Sequence, residues 1–210
     1  MIRLHDYVLS GSCYKVRLML SLLGVAYEAV PVDYYPGRAH RKPDFLALNP
    51  LGQLPVLEDG ALRLRDAQAI LVYLAGKYDP ERRWYPESPE AQGTIAMWLS
   101  FAGGELMNSS AARLHDMLSY DFDIDKVRAA AHAALRVLDD HLTDREIDTG
   151  TLGPWMVGDR PTLADVACFP YVALSGDGGV LHDDYHAVRR WMASVKRLPG
   201  FVVMPGIYPD

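Results

Sequence analysis

The chain has 210 residues, half of them hydrophobic and 23% charged, the balance of a globular protein long enough to bury a core in one large or two small domains. A net charge of −6, with no local Lys/Arg cluster, argues against nucleic acid as a partner, and no apolar stretch approaches the ~18 residues of a membrane span. Cys13 and Cys168 are too few for a disulfide framework, and His5 and Asp6 interrupt any signal-like apolar start, so a reducing cytoplasm is expected.

Met1–Tyr7 reads as a short strand with Ile2 and Leu4 on one face. Ser10-Gly11-Ser12 is a loop and a helix N-terminus signal. Val16, Met19, Leu20 and Leu23 then keep the i, i+3, i+4, i+7 spacing of an amphipathic helix, stopped by Gly24. Tyr27–Val32 is a second strand, and a short helix is expected at Pro43–Leu48. The stretch Asn49-Pro50-Leu51-Gly52-Gln53-Leu54-Pro55-Val56-Leu57 sets a proline inside an apolar strand-like run. Proline has no N–H and belongs on strand edges or at breaks. The run therefore fits either a trans proline opening an edge strand or a cis Leu54–Pro55 bond, which would leave the Leu54 backbone free to pair with a ligand's main chain. Leu54–Glu58 and Ala61–Leu64 are strands joined at the hairpin dipeptide Asp59-Gly60. Asp66 caps a further helix whose buried face carries Ala67, Ile70, Leu71 and Leu74. The order βαβ, short helix, ββα requires one parallel pair with a right-handed crossover.

From Asp79 to Pro89 the chain carries three prolines and five charges, and helix cannot run through it. Residues 80–89 are read as a linker between an α/β domain at 1–79 and an all-helical domain at 90–210. That second part opens with one helix over about Pro89–Leu118, followed by another over Ile124–Leu142 with Ala131, Leu135, Leu138 and Leu142 aligned. Thr162 and Asp165 form a capping box. The helix it starts, through Cys168 and Tyr171, is apolar all round and hence central. Val188, Trp191, Met192 and Val195 mark the last helix, stopped by Pro199-Gly200. No metal is expected. His182 and His186 sit in an ordinary acidic surface loop, and Asp121-x-Asp123-x-Asp125 has Lys126 and His132 where a calcium loop needs glycine and glutamate.

Over nearly its whole length the chain resembles the cytosolic glutathione S-transferases. The matching motifs are Ser10-x-Ser12-Cys13-x-Lys15-Val16-Arg17, Asn49-Pro50-x-Gly52-x-Leu54-Pro55-Val56-Leu57, Ala69-Ile70-Leu71-x-Tyr73-Leu74, Gly158-Asp159-x-Pro161-Thr162-x-Ala164-Asp165, and Trp191 with Leu198-Pro199-Gly200-Phe201. The resemblance implies a thioredoxin-like N-terminal domain, an all-α C-terminal domain, a homodimer, and glutathione as co-substrate at a cis-proline corner. It implies an enzyme that activates the glutathione thiol against small electrophiles, as in detoxification. The alternatives are a glutathione-dependent disulfide or peroxide reductase, an isomerase or dehalogenase, and a non-catalytic ligand-binding or interaction protein of the same fold.

A free thiol has a pKa of about 8.5, and lowering it by roughly two units needs about 2.7 kcal/mol of thiolate stabilisation. A hydroxyl hydrogen bond to a charged group supplies roughly 1.5–3 kcal/mol, and a helix N-terminus roughly 0.3–1. Ser10, between the first strand and first helix, can provide both; Ser12 could donate instead, or Cys13 could substitute mixed-disulfide chemistry. The resemblance further implies Leu54, beside Pro55, on the cysteinyl backbone of glutathione, and Gln53 with Lys42 or His40 at its glycine carboxylate. Asp66-Ala67 stands where the family usually has Glu-Ser around the γ-glutamyl group. The second substrate is expected against Met107, Asn108, Ser110, His115 and their neighbours Glu105 and Arg113, with Tyr14 or Tyr208 as lids.

Overall fold

The computed structural model of the chain describes residues 1–209. Its first part builds β1 (Ile2–Asp6), α1 (Gly11–Leu22), β2 (Tyr27–Pro31), α2 (Pro43–Leu48), β3 (Val56–Asp59), β4 (Leu62–Leu64) and α3 (Ala67–Tyr78). The four strands lie in the order β2-β1-β3-β4. β1 runs parallel to β2 and antiparallel to β3, and β4 is antiparallel to β3. Leu4 stands opposite Ala29 on one side and Leu57 on the other, and both leucines are fully buried. The ladder between β1 and β3 starts at Val56, not at Leu54, because Pro55 has no N–H to give it. The Leu54–Pro55 bond is cis, as is Tyr35–Pro36.

Both helices that frame the cleft are capped by the side chain just before them. Ser10 Oγ accepts the Cys13 N–H at 3.2 Å, and Asp66 Oδ1 accepts the Ala69 N–H at 2.8 Å. Each cap satisfies one of the donors that a helix start leaves orphaned. α1 packs against α3 and, across the domain boundary, against α7.

The second part holds α4 (Pro89–Gly103), α5 (Met107–Leu118), α6 (Ile124–Thr149), α7 (Leu163–Ala173) and α8 (His186–Lys196). The single helix expected over 89–118 is thus two. The break falls at Gly103-Gly104, where Gly104 leaves helical geometry at φ −110, ψ −93 and its N–H turns back to the carbonyls of Ser100 and Phe101. A Cβ on Gly103 would come within 3.0 Å of Gln68 Nε2, so the glycine also lets α3 approach. α6 runs past Leu142 to Thr149. Its last turns carry no apolar stripe but are held by Arg145, which donates to the carbonyls of Trp155 and Gly158, and by Glu146, paired with Arg190 of α8. Residues 175–178 form a 3-10 turn.

α7 is buried along nearly its whole surface. Its capping box is present, and Asp165 also accepts the Met156 N–H at 3.1 Å and the Trp191 Nε1–H at 2.8 Å. One continuous core runs from Leu4, Leu57 and Ile70 through Leu135, Leu163 and Trp191. Residues 80–89 are pinned to it. Buried Asp79 accepts the Trp84 N–H, and the Trp84 carbonyl accepts the Leu163 N–H. Among the described residues no helix is long and apolar enough to cross a membrane.

Candidate active site

A cleft of about 370 Å³ opens between the sheet and the helical part. Its sheet-side wall is made by Ser10, Gly11 and Ser12 at the start of α1, Gln53 and Leu54 before β3, and Arg65, Asp66, Ala67 and Gln68 at the start of α3, with Tyr7 and Tyr34 at the rim. The facing wall is α5, through Met107, Ser110, Arg113, Leu114, Met117 and Leu118, and α7, through Tyr171. These α5 residues recur at three- and four-residue steps, which puts them on one helical face.

Three connections therefore converge on the cleft: two helix N-termini and the strand entrance at Leu54. Ser10 Oγ serves as acceptor for its cap, and Ser10 lines the cleft at the start of α1. Leu54 lies before the β3 ladder, leaving its N–H and C=O outside it. Asn49 fixes the approach to Leu54, donating to the Gln53 carbonyl at 2.8 Å and accepting the Leu51 N–H at 3.1 Å. Arg113 spans the two walls. Its Nη1 donates to the Leu9 carbonyl at 2.7 Å and its Nε to Asp177 Oδ2 at 2.9 Å. Ser12 Oγ and the Tyr171 hydroxyl share a hydrogen bond of 2.6 Å across the same boundary.

Several expected site residues stand elsewhere. Cys13 is fully buried and outside the cleft lining. Burial, reinforced by the nearby Asp6 charge, pushes its thiol up to about 12. Tyr14 is fully buried too, its hydroxyl donating to the Val202 carbonyl at 2.6 Å. It is a core residue and not a lid, because the apolar face of α1 includes position 14. Asn108 turns to the Glu105 carbonyl and His115 to that of Tyr120. Both lie one step off the cleft-facing rows of α5, and neither lines the cavity, nor does Glu105. Tyr208 is exposed in a separate depression beside Asp6, Val8 and Arg17. Lys42 is exposed at the start of α2, outside the cleft. His40 is buried one layer back, stacked on Tyr34 at 4.0 Å between ring centroids. Burial, with Arg41 and Arg38 adding to it, lowers its pKa. Pro55 is buried behind Leu54.

The sequence alone does not place Tyr7, Tyr34, Arg65, Gln68 or Tyr171 in the cleft that they line. Arg65 and Gln68 flank the recognised Asp66-Ala67 corner, and their place beside a helix start was a usable signal. Tyr171 had none, since it sits in an apolar run and its hydroxyl acquires a role only when α7 meets α1. Among the described residues no three His, Cys, Asp or Glu side chains gather as a metal site.

The chain matches the family described as "Glutathione S-transferase, N-terminal domain" over residues 4–82 and that described as "Glutathione S-transferase, C-terminal domain" over residues 121–194. It is 33% identical to a maleylacetoacetate isomerase of Rhizobium meliloti, over 96% of this chain and 88% of that protein. A glutathione S-transferase of Pseudomonas fluorescens superposes with a TM-score of 0.85 at 28% identity, covering 97% of this chain and 98% of the other. Ure2p in complex with glutathione superposes with a TM-score of 0.85 at 25% identity, over 95% of this chain and 91% of the other. The chain belongs to the cytosolic glutathione S-transferase superfamily, with the thioredoxin-like and helical domains of that fold. It is an enzyme of glutathione-dependent transferase or isomerase type.

Proposed function

We propose that the Ser10 hydroxyl holds the glutathione sulfur as a thiolate at the N-terminus of α1, and that this thiolate attacks a small electrophile seated against α5. The observation that carries the proposal is the Ser10 cap. Its oxygen accepts the Cys13 N–H at 3.2 Å, which sets the hydroxyl on the cleft wall at a helix end whose dipole favours negative charge. The Leu54 backbone would pair with the cysteinyl residue of glutathione, Asp66 with the γ-glutamyl ammonium, the Ala67 N–H with the adjoining carboxylate, and Gln53 with the glycine end. Asp66 is one methylene shorter than the glutamate usual in the family. Ala67 has no hydroxyl, so hydrogen bonds at this end fall to the backbone and to neighbouring Arg65. His40 supports the site from behind through Tyr34.

A cysteine-based reductase is disfavoured by the buried, hard-to-ionise Cys13 thiol. Isomerisation is a second reading, favoured by the name of the Rhizobium meliloti relative. It starts from the same addition of thiolate to an activated double bond, so it uses the same groups. The physiological setting we propose is detoxification by a homodimer in the cytoplasm. Leu62 on the edge strand β4 and Met97 on α4 are exposed apolar residues that a second copy would cover.

The test is a pair of variants. Ser10→Ala should cut turnover roughly 10–100-fold, as losing about 1.4–2.7 kcal/mol of thiolate stabilisation implies, with little change in glutathione affinity. Cys13→Ala should keep full conjugation. The opposite pattern would make this a cysteine-type enzyme.

A further inference from the structure

A second cavity, of about 530 Å³, lies between the segment that precedes α8 and one face of α8 itself. It shares no lining residue with the cleft. Its border is cationic in a chain where acidic residues outnumber basic ones by 27 to 21. Arg189, Arg190 and Lys196 stand along α8, His182 and His186 stand at its start, and Asp183 is the one carboxylate among the lining residues. Arg190 is already neutralised by Glu146 of α6, with bonds of 2.7 and 2.5 Å. The Arg189 guanidinium is exposed and has no hydrogen bond or ion pair among the described residues. Arg189 and Lys196 lie two turns apart on one helical face, with Ala193 between them.

His182 closes the cavity from the other side, and its ring is fixed. Nε2 lies 2.7 Å from the Val172 carbonyl and 2.8 Å from Ser175 Oγ, whose own O–H goes to the Val180 carbonyl. A carbonyl only accepts, so Nε2 carries a proton and Nδ1 is the nitrogen left to gain one. Burial lowers the pKa of this ring, and the charges of Arg189 and Lys196 lower it further, while the Val172 bond and Asp183 oppose them. The two cations therefore converge on the imidazole. Like charges gathered around a concavity repel one another, and an anion seated among them is drawn in by the field they share.

We propose that this cavity binds a small organic phosphate monoester, with its phosphate held by Arg189, Lys196 and His182 and its organic part against Met192 and Ala193. A phosphate monoester has three terminal oxygens and up to two negative charges, which matches three cationic donors around one point. The planar guanidinium can take two of those oxygens at once, and the ammonium brings three N–H donors of its own. The volume is that of a small-molecule site. The inference is independent of the glutathione reading, because the groups it uses stand outside the cleft.

The experiment is a calorimetric titration of the full-length protein with phenyl phosphate at fixed ionic strength. The wild type should bind it with a Kd on the order of 1 mM or tighter, and should bind benzoate and inorganic phosphate several-fold more weakly. Arg189→Ala should weaken binding about 10–100-fold. His182→Gln, whose amide can keep the bond to Val172, should weaken it several-fold. Arg197→Ala removes an exposed cation of the same helix end that lies outside the cavity, and should change nothing. No binding by the wild type, or binding that survives Arg189→Ala, would overturn the proposal. Equal losses in Arg189→Ala and Arg197→Ala would also overturn it, reducing the effect to overall charge. Benzoate or inorganic phosphate bound as tightly as the ester would overturn the ligand class.

Discussion

Lys15 is enclosed by α1, α4 and α7, and that burial lowers its pKa to about 8, with Cys168 and Asp66 pulling weakly the other way. The folded protein therefore sheds this proton near pH 8, whereas an unfolded chain holds it to about 10.4. Between those values the unfolded state binds more protons, so stability rises with pH. Below pH 8 the enzyme carries the cost of a buried cation. Lys15→Met should raise stability at pH 7 by about 1–3 kcal/mol, and the gain should shrink as the pH is taken from about 8 to about 10. Denaturant midpoints for both proteins across that range check this, and a constant or growing gap would contradict it. Asp66 is a second residue with two duties. Asp66→Ala should cost about 1 kcal/mol through loss of the α3 cap and also weaken glutathione binding severalfold. Calorimetric titration separates the two effects, and unchanged affinity would remove Asp66 from the proposed ammonium site. At this scale the sequence was readable where a residue's job is local. Ser10 and Asp66 could be found because a small polar residue before an amphipathic run caps a helix whatever the rest of the chain does. Tyr171 and Lys15 could not, because their roles come from a meeting of α1 with α7 that no local pattern records.

α7 shows what one element contributes to holding the cleft in shape. It is the helix that α1, α3, α4, α5 and α8 all touch, and Asp165 anchors its start. This carboxylate accepts the N–H groups of Thr162 and Met156 and the indole N–H of Trp191. Its burial raises its pKa while those donors oppose the rise. Removing the carboxylate strands three buried donors at once, each worth about 1–3 kcal/mol when unsatisfied. Asp165→Ala should destabilise the protein by at least 3 kcal/mol and lower the yield of folded enzyme. Thr162→Ala, which removes only the hydroxyl half of the box, should cost about 1 kcal/mol. Equal losses in the two variants, read from chemical denaturation, would mean that Asp165 is no hub. The capping box was plain in the sequence because its spacing is fixed by helix geometry. The break between α4 and α5 was hidden. Gly103 and Gly104 sit inside a pattern that reads as continuous helix, and the approach of Gln68 that accompanies the break is a tertiary contact. No helical face is legible for this wall from side-chain type alone, which is why Asn108 and His115 are expected in the site and Met117 and Leu118 are not, although the cavity is lined by the latter pair.

Across the whole molecule, the sheet supplies the groups proposed for glutathione and the helices supply the wall proposed for its partner, with Arg113 and the Ser12–Tyr171 pair bridging them. The two-part layout was legible because its signals are coarse: alternating strand and helix patterns, a proline-rich stretch, then helix signals alone. That the proline-rich stretch is fastened to the core through Asp79 and Trp84 was not, since charged and proline-rich residues read as solvent-facing. If the exposed apolar residues of β4 and α4 are covered by a second copy, light scattering at micromolar concentration should return twice the 23.4 kDa of the chain, and Met97→Glu should shift the mass toward the monomer. A monomeric wild type would contradict that assembly. The central claim, that Ser10 makes the reactive thiolate, is tested most directly by titrating the ultraviolet thiolate absorbance of enzyme-bound glutathione. The account predicts a thiol pKa lowered by roughly two units from about 8.5 in the wild type and restored by one to two units in Ser10→Ala, with Cys13→Ala unchanged. A bound thiol that titrates as it does in water, or a lowered value that survives Ser10→Ala, would contradict it.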